Sequence, residues 1–230
     1  MAQPTCGETA PMTCTSQQKY LYVVFSHTPC KVGKFIRWAT HNTYNHVSIS
    51  TEADLRTLYS FARHYCNTPL YAGFVQETRM RFCNNGKVAR VKICAIPVTY
   101  EKWSETQDIL QRMLASSKSY VYNFFSAALY PTGKRFRLPH SYTCVEFVSE
   151  LLQDAHVCKS LESDKNYSIV ELEQALAPYE IYTGAFPHPD QSAPRIKDHF
   201  GRRQGWRTAL LLSLFANLEL LRLILKYKIL

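Results

Sequence analysis

Residues 141–152 read Ser-Tyr-Thr-Cys-Val-Glu-Phe-Val-Ser-Glu-Leu-Leu, a stretch that starts a helix at a cysteine. Cys144, Val148, Leu151 and Ala155 recur at i, i+4, i+7 and i+11, so they share one helical face. An apolar face of this kind has to be covered by another element. Ser141 or Thr143 can cap the helix. The first N–H groups of a helix have no partner within it, and the dipole there favours negative charge. A thiol in that turn is disposed toward the thiolate, and the free N–H groups can hold an oxyanion. The plainer role for such a cysteine is a small buried hydrophobe.

A histidine far upstream gives the thiol a possible base. Tyr44-Asn45-His46-Val47-Ser48-Ile49-Ser50 alternates as a strand does. Val47 and Ile49 point one way, while His46, Ser48 and Ser50 point the other. The expectation is a polar strand face that borders a cleft. An imidazole on a rigid strand can take a proton from a thiol and return it to a leaving group.

The ordered set of segments resembles a known family. It comprises Tyr20-Leu21-Tyr22-Val23-Val24-Phe25, Asn45-His46-Val47-Ser48-Ile49, Leu58-Tyr59-Ser60-Phe61-Ala62-Arg63, Gly73-Phe74-Val75-Gln76-Glu77 and the Cys144 helix. With the histidine strand before the cysteine helix, it is similar to the circularly permuted papain-like cysteine hydrolases. These are the permuted branch of the NlpC-type superfamily, related to lecithin:retinol acyltransferase-like proteins. The resemblance runs from about Lys19 to Gly184. It implies an α+β, permuted papain-like fold, in which an antiparallel sheet packs on the helix that carries the nucleophile. By position it implies Cys144 as nucleophile and His46 as base. The family's third, orienting residue usually lies on the strand after the histidine. That strand offers Ser60, and Glu77 on a later strand is a second candidate. Tyr142 matches a recurrent aromatic that lines the site. The implied activity is hydrolysis or acyl transfer through an acyl-enzyme, on an amide, peptide or lipid ester. The alternative is a non-catalytic, membrane-associated binding module that retains the fold.

Along the chain, residues 1–18 read as a polar tail and 19–184 as the catalytic domain. Residues 185–207 read as a Pro-containing basic linker, and 208–230 as an apolar C-terminal helix. Strands are expected at Lys19–Ser26, Tyr44–Ser50, Thr57–Ala62, Gly73–Glu77, Val88–Val98 and Tyr179–Thr183. Helices are expected at Val32–Ala39, Tyr100–Ala115, Tyr120–Tyr130 and Ser168–Leu176, besides the Cys144 helix. Asn84-Asn85-Gly86 reads as a turn.

The eight cysteines show no metal-ligand spacing, and no glycine-rich phosphate loop occurs, so neither metal nor cofactor is expected. Residues 1–19 hold no apolar core of signal-peptide length, so the expectation is a cytoplasmic chain, peripheral to the membrane if the C-terminal segment binds it, with most thiols reduced. From Arg195 onward there are eight Lys/Arg against two Asp/Glu, a surplus of six out of the total of +9. Basicity therefore belongs to the tail, which argues against nucleic acid as a partner. Glu219 and Arg222 interrupt the leucine-rich segment, which reads as too short and too charged for a clean membrane span. Three destinations fit it: a membrane interface reached through 195–230, its own domain, or a second copy in an oligomer.

Overall fold

The computed structural model describes residues 18–27, 43–78, 81–84, 87–129, 136–156, 158, 160–163, 165–187 and 198–227. The expected helix at Val32–Ala39 and the tail at 1–17 lie outside the described residues. So do the tip of the Asn84-Asn85-Gly86 turn and residues 188–197 of the Pro-containing linker.

The class is α+β, with a mostly antiparallel sheet and helices. Four strands lead the chain: β1 (Lys19–His27), β2 (His46–Ser50), β3 (Leu58–Arg63) and β4 (Ala72–Glu77). A small hairpin, β5 (Cys83–Asn84) with β6 (Lys87–Val88), precedes the long β7 (Arg90–Val98). A late strand, β10 (Glu180–Ala185), completes the main sheet, whose order is β10-β7-β1-β2-β3-β4. The turn signal thus closes the small hairpin, while β7 pairs with β1 and β10 rather than with β4.

The two faces of the sheet follow from period-2 alternation. Leu21, Val23 and Phe25 of β1 join Val47, Ile49, Phe61, Phe74 and Ile96 in the main core. Val24, Leu58, Val91 and Ile93 point to the opposite face and meet Phe82 and Phe186 in a second cluster. Phe82 and Phe186 stack with centroids 4.5 Å apart, so the folded body continues past Gly184.

Helices cover the main core. Helix α1 (Tyr100–Ala115) is capped by Thr99, whose side chain accepts from the Lys102 N–H. It buries Thr106, Leu110 and Met113, with Ile109 and Leu114 packed alongside. Helix α3 (Cys144–Asp154) begins at the cysteine and packs on β2 and β3. Thr143, not Ser141, is its cap, and Thr143 and Glu146 form a reciprocal capping box. Helix α4 (Ile169–Ala175) carries a second box from Ser168 and Glu171.

The segment 120–130 departs from the expected single helix. Val121–Tyr122 is extended as β8 and pairs in parallel with β9 (Ser141–Tyr142). Helix α2 (Phe124–Leu129) starts only after Asn123. Asn123 sets that boundary: its Oδ1 accepts from the Ser126 N–H at 2.9 Å, and its Nδ2 donates to the Phe136 carbonyl at 2.6 Å. Asparagine competes for the backbone in this way and favours caps over helix interiors.

The C-terminal helix α5 (Trp206–Lys226) has 21 residues and starts earlier than the leucine-rich stretch suggests. At about 1.5 Å per residue it is about 31 Å long. Contrary to the sequence reading, it is long and apolar enough to cross a membrane, by length and composition. One stripe, Leu220 and Ile224, packs on Val121 and Leu138.

Candidate active site

His46 opens β2, and the register of β1 with β2 places it opposite Ser26. The face expected to border a cleft is closed: Ser48 and Ser50 are fully buried. Short hydroxyl side chains allow this because their polar atoms find internal partners. Ser50 Oγ donates to the Glu52 carbonyl and accepts from the Glu52 N–H. The Ser48 hydroxyl donates to Glu77 Oε2 at 2.5 Å. Only the His46 side chain keeps some access, at 12% exposure against 1% for Glu77.

Glu77, the last residue of β4, reaches His46. Its Oε1 lies 2.8 Å from His46 Nε2, and Ser48 Oγ lies 3.2 Å from the same nitrogen. Strand β3 lies between β2 and β4, so the carboxylate has to cross it. Ser60 pairs with Val75 on β4. Its own Oγ is buried and has no hydrogen-bond partner among the described residues. Of the two orienting candidates, Glu77 touches the imidazole and Ser60 does not.

Cys144 acts electrostatically on the same ring. Hydrogen bonding to the Cys144 side chain and interaction with its charge both raise the His46 pKa. Burial is the largest single influence and pulls that pKa down. The Glu77 carboxylate and Cys144 together outweigh it, and His46 ends well above the ordinary imidazole value. Glu77 shows the reverse balance. Burial pushes its carboxyl up, but His46, Arg81 and the Ser48 hydroxyl hold it below the usual carboxylate range. A buried imidazolium beside a buried carboxylate is the charge state this geometry favours. With Nε2 committed to Glu77, Nδ1 is the nitrogen left for proton exchange with a thiol.

The helix start is arranged for an anion. The capping box occupies the Glu146 N–H at 3.2 Å and the Thr143 N–H at 2.7 Å. The N–H groups of Cys144 and Val145 have no hydrogen-bond partner among the described residues. They can donate to an oxyanion that forms on a carbonyl carbon attacked by the sulfur.

Two tyrosines stand side by side on the paired strands β8 and β9, Tyr122 opposite Tyr142. Tyr142 packs into the aromatic core, its ring 5.2 Å from that of Phe61. Burial, helped by Glu150 and other negative neighbours, pushes its phenol up to about 12. Tyr122 is the tyrosine that feels Cys144. Its pKa rises through burial first and then through the charges of Cys144 and Glu146.

Sequence reasoning also missed a buried ion pair beside the site. Arg81 binds Asp198 in bidentate fashion, Nε to Oδ2 at 2.9 Å and Nη2 to Oδ1 at 3.0 Å. Asp198 accepts further bonds from the Thr78 N–H, the Thr78 hydroxyl and the Phe200 N–H. The stretch expected to be linker is therefore fastened to the end of β4. Nothing in its composition marks Asp198 for this role. Among the described residues, no three His, Cys, Asp or Glu side chains converge in a way that could hold a metal ion. Compared with protein-family models, curated proteins and solved structures, the chain finds no match in any of the three.

Proposed function

We propose that this chain is a cysteine hydrolase or acyltransferase of the permuted papain-like class, with Cys144 as nucleophile. The observation that carries the reading is one imidazole, on His46, bonded to the Glu77 carboxylate and electrostatically coupled to the thiol at the first turn of α3. That is the nucleophile, base and orienting group of a triad. The α+β architecture and the order of histidine strand before cysteine helix support the permuted class.

In this reading Cys144 transfers its proton to His46, and the sulfur attacks a carbonyl carbon. A C–S bond forms, and the oxygen takes negative charge within reach of the Cys144 and Val145 N–H groups. His46 returns the proton to the departing amine or alcohol as its bond to carbon breaks. A thioester remains on Cys144. Water, an alcohol or an amine then attacks the thioester and gives its proton to His46; the C–S bond breaks, the acyl product leaves, and the departing sulfur takes the proton back from His46 as the thiol. Glu77 keeps the imidazole oriented and stabilises its charged form. Substrates of this class are amides, peptides and lipid esters.

A carbonyl-directed thiol probe tests the reading against a non-catalytic module. We expect labelling concentrated on Cys144 in the native chain, abolished in Cys144→Ser and sharply reduced in His46→Ala. Labelling spread evenly over the cysteines, or unaffected by His46→Ala, would refute it.

A further inference from the structure

Helix α5 spends only part of its circumference on the folded body. At about 100° per residue, Ala216, Leu220 and Ile224 form one stripe, and all three are buried. On the other side of the wheel stand Leu211, Leu214, Phe215, Leu218, Leu221 and Leu225. These are between 43% and 69% exposed, so no described residue covers them. A continuous stripe of this size on a surface helix marks a contact with something apolar.

The charges around the stripe specify what that something is. Residues 202–227 carry five Arg/Lys and one Glu. Arg202, Arg203 and Arg207 are exposed where the helix begins, and Arg222 and Lys226 are exposed toward its end. The single Glu219 is paired with Arg222 at 3.3 Å. Each end also joins a cation to an aromatic ring: the Arg207 guanidinium lies 5.3 Å from the Trp206 ring, and the Lys226 ammonium 5.4 Å from the Tyr227 ring. Amphipathic rings and long basic side chains at both ends suit the boundary between headgroups and acyl chains. Two copies pairing through this stripe would bring basic side chains together. A spanning arrangement would pull Leu220 and Ile224 away from Val121 and Leu138.

We propose that α5 lies flat on an anionic lipid surface, its Leu211–Leu225 stripe in the acyl boundary and its basic residues on the lipid phosphates. The proposal stands on the helix alone and does not depend on catalysis at Cys144.

The full chain is sedimented with vesicles of phosphatidylcholine, with and without phosphatidylglycerol. We expect binding to the anionic vesicles that weakens with added salt, and little binding to phosphatidylcholine alone. Trp206 emission should shift to the blue on binding. The variant Leu211→Gln/Leu214→Gln/Leu218→Gln changes only exposed side chains. It should keep the unfolding midpoint of the parent while its bound fraction falls to that of the vesicle-free control. Arg202→Gln/Arg203→Gln/Arg207→Gln should lose the preference for anionic lipid. Three results would each overturn the proposal. One is absence of vesicle binding by the full chain. Another is a solution dimer that the triple Leu variant converts to monomer while vesicles go unbound. The third is a bound state that resists both high salt and alkaline carbonate, which marks a spanning helix.

Discussion

Replacing Glu77 by Gln removes one charge from the site and leaves the shape almost unchanged. The carboxylate oxygen sits 2.8 Å from His46 Nε2, which puts the charge centres about 4 Å apart. At an effective dielectric of about 20 that attraction is about 4 kcal/mol, or about three pKa units. Glu77 is the largest of the influences that raise the His46 pKa, and burial opposes it. Without the carboxylate, the imidazole pKa should fall by about three units, back toward its ordinary value. Proton transfer from Cys144 to His46 then becomes unfavourable near neutral pH. Iodoacetamide modification of Cys144 at neutral pH should slow by about tenfold or more in Glu77→Gln, since each unit is worth about 1.4 kcal/mol. An alkylation profile within about twofold of the parent at every pH would refute the idea that Glu77 sets the proton balance.

The same substitution predicts a pH-dependent stability difference. His46 is raised in the folded state, so its contribution is complete below its ordinary 6.5 and is lost as pH rises through the folded value. Glu77 is lowered, so its contribution is complete above its ordinary 4.5 and is lost as pH falls through the folded value. Both are complete between 4.5 and 6.5. Urea denaturation should show the largest gap between parent and Glu77→Gln in that window, narrowing on either side. A gap independent of pH would mean that the pair is not ionised.

Two further substitutions test the surroundings. Asp198→Ala leaves the Arg81 guanidinium buried without its carboxylate, so urea unfolding should register a loss of about 3–5 kcal/mol; a loss below about 1 kcal/mol would show that this segment is not fastened to the body. In Gly73→Ala the new methyl group would collide with the Tyr120 carbonyl and push β8 away from β4, costing about 1–3 kcal/mol and slowing Cys144 alkylation; an unchanged thermal midpoint would show that β8 has room to move.

The helix at Cys144 was legible because local rules agree there. The candidate caps, the apolar spacing and the thiol all fall within one window of sequence, though the choice of Thr143 over Ser141 and its capping box with Glu146 came only with the structure. Strands β1, β2, β3, β4 and β7 were legible within a residue or two, β2 by its alternation and the others as short apolar or aromatic runs. What alternation could not give was how the strands pair. The sequence left Ser60 and Glu77 open as partners for His46, and only the sheet order β2-β3-β4 decides which can touch it. Ser60 lies on the nearer strand, but its hydroxyl is too short to reach an imidazole on β2. A glutamate two strands away reaches it, and its other oxygen accepts from the Ser48 hydroxyl.

Asp198 shows the same limit at longer range. Its local sequence is polar and proline-flanked, which reads as linker, and no periodicity singles it out. Its partner is Arg81, more than a hundred residues earlier, and Arg81 is one of the groups that hold the Glu77 carboxyl low. The C-terminal segment therefore reaches the site electrostatically as well as by packing. Removing it would leave Arg81 without its buried counter-ion and Thr78 without an acceptor, right beside the carboxylate that orients His46. A truncation that ends before Arg195 should accordingly disturb the Cys144–His46 proton balance along with stability. The sequence boundary at Gly184 suggested the opposite, because composition records where a chain changes character and not where its charges are neutralised.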